Sequence, residues 1–114
     1  MRQTLIALTV ALTLATPAHA QLVIEGRGAQ ALHCSAMLFM VSSLMFDAGH
    51  ISRNARDNAQ AAALIMLESV PGTETQRIQA MSQRFDRIMF SRSPQQLFDE
   101  YSGTARWCRM TLLP

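Results

Sequence analysis

Residues 31–46 read ALHCSAMLFMVSSLMF, sixteen successive positions without a charge. Cys34, Met37, Leu38, Val41, Leu44 and Met45 recur at three- and four-residue spacing, the period of a helix. Phe39, Met40 and Phe46 lie off that stripe, so the segment is apolar on more than one face. A helix of that kind belongs at the centre of a bundle, where neighbours cover it on several sides. The spacing predicts a first helix over about 29–48, with Gly49 as the left-handed residue that ends it. The run is shorter than the ~20 residues a bilayer needs, and Asp47 follows directly, so burial in protein is the expected use.

Downstream, three further helices are expected to cover this one. The second should span about 53–69 with Ser52 as N-cap. Its inner face is read as Ala55, Ala59, Ala62, Ile65 and Met66, with Arg53, Arg56, Asp57 and Gln60 turned to water. Pro71-Gly72 closes it. The third opens on Thr73-Glu74-Thr75-Gln76, a capping box, and carries Ile78, Met81, Phe85, Ile88 and Met89 as one stripe. The fourth opens on Ser93-Pro94-Gln95-Gln96, a second capping box with proline at the tolerated first position. Leu97, Tyr101, Ala105, Cys108 and Leu112 form its stripe, and Gly103 loosens it at a cost of about 1 kcal/mol. No alternating strand pattern or internal repeat is present. The fold class is all-α: a small up-down-up-down four-helix bundle.

Cys34 and Cys108 are the only cysteines. Neither sits in CxxC, CxxCH or a zinc-ligand spacing. In an up-down-up-down bundle both fall near the same end, some 7–9 Å from it at about 1.5 Å per residue. Both lie on apolar stripes. The bundle is therefore expected to be closed by a Cys34–Cys108 disulfide.

Upstream, 1–20 carries the parts of a cleavable secretory signal peptide in order. Arg2 supplies the positive end. LIALTVALTLA (5–15) is the apolar core, Pro17 breaks it, and Ala18-His19-Ala20 is a small-x-small cleavage site. Residue 21 is Gln, so a lipoprotein attachment cysteine is absent at that position. The expected mature chain runs from Gln21, with 21–28 as a flexible lead-in and 29–114 as one helical domain. Its expected place is the bacterial periplasm or outside the cell, where a disulfide persists.

All ten basic residues of the chain are Arg, against eight acids. Without Arg2 the mature balance is nine against eight, or +1. The signs are interspersed, so no basic block points to nucleic acid and no acidic tail to a charged partner. After cleavage no membrane association is expected. No cofactor motif occurs.

Three chemistries remain to weigh. His33, Met37 and Met40 stand at i, i+4 and i+7 and could offer soft ligands to Cu(I), with Met45 and Met81 in reserve. Methionine at helical spacing is far more often core filling. Ser35, Ser42 and Ser43 lie near His33 and His50 without a nucleophile elbow, and hydroxyls inside an apolar helix usually bond the preceding turn. Asp99-Glu100 near the start of the fourth helix suits the helix dipole. Catalysis is not expected, although a bundle can build a site from scattered residues.

A non-enzymatic binding protein is the leading expectation. Its contact surface would be the Met-bearing faces, Met37, Met40, Met45 and Met81, because methionine adapts to varied partners. The occupant would be a protein partner or a second copy. The architecture is similar to that of small two-cysteine helical stress chaperones of the periplasm. That likeness implies a chaperone-like use and rests on architecture alone.

Overall fold

The computed structural model describes residues 24–114; the expected signal peptide lies outside them. Four helices follow one another: α1 (Gly26–Asp47), α2 (Arg53–Leu67), α3 (Glu74–Ser91) and α4 (Pro94–Leu112). No strand occurs among the described residues. The fold is a small all-α bundle closed by one disulfide.

α1 is the hub. Ala31, Leu32, Cys34, Ala36, Met37, Leu38, Val41 and Met45 are all buried. α2, α3 and α4 each pack on it, α3 mainly on the Gly26–Ala36 half. By length and composition α1 is apolar enough to cross a membrane, yet 56% of its most apolar window is buried inside the bundle. α2 and α4 both run antiparallel to α1. The start of α1 meets the end of α2, where Gly28 abuts Pro71. It also meets the end of α4, where Arg27 Nη1 donates to the Thr111 carbonyl at 3.5 Å. The far end of α1 meets the start of α4 through an edge-on stack of His50 and Phe98, centroids 5.0 Å apart.

The first helix begins at Gly26, inside the stretch expected as a flexible lead-in. Gly28 explains the difference. A Cβ there would already touch Ile24 Cγ2 and Pro71 Cδ, both at 3.4 Å. That is ordinary van der Waals distance, and the packing of this turn beside Ile24 and Pro71 outweighs glycine's low helix propensity.

The middle of α1 is a π-helical turn, Met37–Val41. Widening the turn to i→i+5 bonds redirects backbone carbonyls that an α-helix would use itself. The Phe39 carbonyl is taken up by two side chains: Ser42 Oγ donates at 3.1 Å and Gln60 Nε2 at 3.3 Å. Gln60 Nε2 also donates to Ser43 Oγ at 2.8 Å. Gln60 is therefore half-buried against α1, not turned to water as expected. Ser35, fully buried, donates to the Leu32 carbonyl at 2.9 Å.

All three predicted caps form. Ser52 accepts from the Ala55 amide, and Thr73 and Ser93 each complete a capping box with Gln76 and Gln96. Gly49 has φ +81°, the left-handed conformation that ends α1. The stripe of α4 is buried at every expected position: Leu97, Tyr101, Ala105, Cys108 and Leu112. The inner face of α2 is rotated from the expectation. Ala59, Ala62, Ala63, Met66 and Leu67 are buried, whereas Ala55 and Ile65 are exposed. In α3 only Met81 and Ile88 are fully buried.

The disulfide joins α1 to α4 with Cα atoms 5.7 Å apart. Both cysteines are buried, and no free cysteine occurs among the described residues. Such a crosslink is consistent with folding in an oxidising compartment.

Candidate functional site

The methionines expected to form a contact surface are largely core. Met37, Met45 and Met81 are buried, and only Met40 keeps partial exposure. The reason is the hub position of α1: a helix apolar on several faces draws a neighbour onto each of them. Met37 and Met45 fill the space beneath those neighbours, and Met81 is one of the two side chains, with Ile88, that α3 buries.

The expected copper ligands fare similarly. His33 is half-buried, Met37 is sealed in the core and Met40 is half-buried at the π turn. His33 lies under the influence of Arg84, Arg92 and Glu100. Burial first, then the two guanidinium groups, lowers its pKa, with Glu100 opposing. Two cations beside the imidazole are the wrong surroundings for a metal cation. Among the described residues no group of three or more His, Cys, Asp or Glu stands together as a metal site.

The hydroxyls near the histidines are committed elsewhere. Ser35 and Ser42 donate to backbone carbonyls, and Ser43 accepts from Gln60. Asp99 and Glu100 diverge: Gln95 donates to Asp99 at 2.9 Å, while Glu100 pairs with Arg92 at 2.5 Å.

The apolar side chains left exposed lie elsewhere, on the outer helices. Leu64, Ile65 and Ile78 are 49%, 51% and 46% exposed. Two of them, with Leu67, Glu68, Glu74 and Arg77, line a cleft of about 380 Å³ between the end of α2 and the start of α3. That volume lies within the roughly 300–1,000 Å³ typical of ligand clefts. The cleft exists because α2 stops at Leu67 and α3 starts at Glu74, with the intervening turn packed inward through buried Val70. Arg77 Nε donates to the Val70 carbonyl at 2.7 Å, which fixes the guanidinium at the rim. Glu68 and Glu74 add two negative charges to the same rim, so its balance is −1.

Sequence periodicity did not single out this cleft. Ile78 shares a stripe with Met81, and Ile65 was read as inward. A second exposed pair, Trp107 and Met110, stands on the outer face of α4 beside Arg106 and Arg109. Phe90 projects alone near the end of α3.

The chain matches no protein-family model, no curated protein and no solved structure.

Proposed function

We propose that this is an exported, non-enzymatic binding protein of the bacterial periplasm, or secreted, that holds an apolar segment of a protein partner in the α2–α3 cleft. One observation carries the reading. Leu64 and Ile78, both about half exposed, line one concavity together with Leu67, in a small domain whose other apolar side chains mostly join the buried core. Clustered exposed apolar surface with a polar rim marks interaction sites more often than scattered residues do. The acidic balance of the rim favours a partner segment flanked by basic residues. A chaperone-like use fits the same surface, since a shallow cleft accepts varied apolar side chains.

The test is titration of labelled apolar peptides flanked either by Lys or by Glu. Lys-flanked peptides should bind more tightly, and Ile78→Asp should abolish that binding. Trp107→Ala, on the outer face of α4, should leave it intact. Equal binding by wild type and Ile78→Asp refutes the assignment.

A further inference from the structure

The outer face of α4 carries a feature that neither the fold nor the cleft uses. Trp107 and Met110 stand one turn apart, 48% and 77% exposed. Arg106 and Arg109 are exposed beside them. Neither guanidinium joins an ion pair among the described residues. The result is an apolar knob that carries two positive charges.

Gly103 lies one turn before Trp107 on the same helix. A helical side chain leans over the turn before it, and here that turn offers only a hydrogen. A Cβ at Gly103 would meet nothing within 4 Å. Glycine inside a helix weakens it and ordinarily has a packing reason. No neighbour within the fold supplies one here. The bare turn leaves room beside the indole for another molecule.

The α2–α3 cleft has the complementary properties. Leu64, Leu67 and Ile78 give it apolar walls, and Glu68 and Glu74 outnumber Arg77 at its rim. Neither carboxylate joins an ion pair among the described residues. The knob does not line the cleft of its own chain, and both are fixed on packed helices. The two surfaces therefore meet only between copies.

We propose that a second copy of this chain is an occupant of the cleft. The Trp107–Met110 knob of one copy seats between Leu64 and Ile78 of the next, with Arg106 and Arg109 opposite Glu68 and Glu74. The inference rests on the cleft reading and names a partner for it. Opposite charges across the contact set its register and disfavour other partners. The contact joins unlike surfaces, so assembly either closes into a ring or continues. A knob of one Trp and one Met covers far less than the ~1,200 Å² of a stable interface, so self-association should need about 0.1–1 mM protein.

Trp107 is the only tryptophan of the chain, so its fluorescence reports on the knob alone. The experiment follows its emission and the sedimentation coefficient of the disulfide-intact protein against concentration. The expected result is a blue shift that rises with the sedimentation coefficient and is weakened severalfold by sodium chloride. Gly103→Gln, which favours the helix, should raise the concentration needed at least tenfold without lowering Tm. Ile78→Asp keeps the knob and loses the cleft, and Trp107→Ala does the converse. Each alone should stay monomeric, and their mixture should form a one-to-one pair in which the remaining Trp107 shifts. Constant emission and sedimentation in wild type, up to several times that concentration, overturn the proposal. So does a mixture that behaves as the sum of its parts, or self-association of Ile78→Asp at the wild-type level, which would place knob against knob. A shift produced by phosphatidylglycerol vesicles but not by protein concentration assigns the knob to a lipid surface instead. Peptide binding without self-association removes this inference and leaves the cleft reading standing; loss of both removes the cleft itself.

Discussion

Removing the crosslink is the perturbation whose size follows most directly from the structure. Cys34 and Cys108 are 74 residues apart and join the hub helix to the last one. Closing a loop of that length removes about 15 cal/mol/K from the unfolded chain, or about 4.5 kcal/mol at room temperature. A domain of this kind has a total stability of roughly 5–15 kcal/mol, so the crosslink is a third of it or more. Unfolding entropy is about 2.1 cal/mol/K per residue, or about 190 cal/mol/K for residues 24–114. Cys34→Ala/Cys108→Ala should therefore lower Tm by about 20–25 °C. Thermal melts followed by far-ultraviolet circular dichroism measure it. A fall smaller than about 8 °C, roughly 1.5 kcal/mol by the same conversion, refutes the reasoning. It would mean that the reduced chain is already restrained when unfolded, so that loop closure is not what the disulfide contributes.

Other outcomes follow from single contacts. Gln60→Ala removes the donor to the Phe39 carbonyl and to Ser43 Oγ. It should cost about 1–2 kcal/mol, seen as a lower urea midpoint with unchanged slope. The pKa of His33 is lowered from 6.5 on folding, so the folded state binds its proton less readily than the unfolded chain. Its contribution is complete above pH 6.5 and is lost as pH falls from there through the folded value. Urea midpoints between pH 7 and 5 should decline in wild type, and His33→Gln should flatten that decline; parallel curves would exclude His33 as the source. Native mass spectrometry of protein exported without reductant should show a chain beginning at Gln21 and two hydrogens lighter than the dithiol. A mass that retains residues 1–20 contradicts the reading of that segment as a cleaved signal.

The parts legible in the sequence are those governed by local chemistry. The caps at Ser52, Thr73 and Ser93 are i→i+3 side-chain bonds, complete within one turn. The stripe of α4 has strong contrast between Leu97, Tyr101, Cys108 and Leu112 and their polar neighbours, so its buried face could be read directly. α2 lacks that contrast. Its small residues at 59 and 61–63 leave the rotation to be decided by α1, and the result buries Ala63 and Leu67 in place of Ala55 and Ile65. The π turn depends on Gln60 from another helix, and the packing of the turn at Gly28 depends on Pro71 from a loop. The cleft is a matter of where two helices end, which periodicity does not encode. The methionines misled for a related reason: their adaptability serves irregular core gaps as well as it serves partners.

The arrangement that hides the methionines also makes α3 the least secured helix. α4 buries Leu97, Tyr101, Ala105, Cys108 and Leu112 and carries the crosslink, whereas α3 buries Met81 and Ile88 and packs mainly on the first half of α1. A buried large side chain contributes about 1.5–3 kcal/mol, and α4 has one more of them than α3. α3 is therefore held less tightly by about that amount, its half-buried Phe85 and Met89 being matched by Phe98 and Leu113 at α4. α3 also lies inside the loop closed by Cys34–Cys108, so it can lift away without opening the bond. Cooperative opening of such a unit has a lower free energy than global unfolding. Hydrogen exchange should therefore show the amides of α3 opening together, ahead of those in α1 and α4, and by a margin of that size. Because α3 forms one wall of the cleft, a peptide that binds there should slow exchange in α3 first. Equal protection of α3 and α4 in the free protein would show that the half-buried contacts hold α3 as firmly as the core does, and that the cleft is not formed on a movable wall.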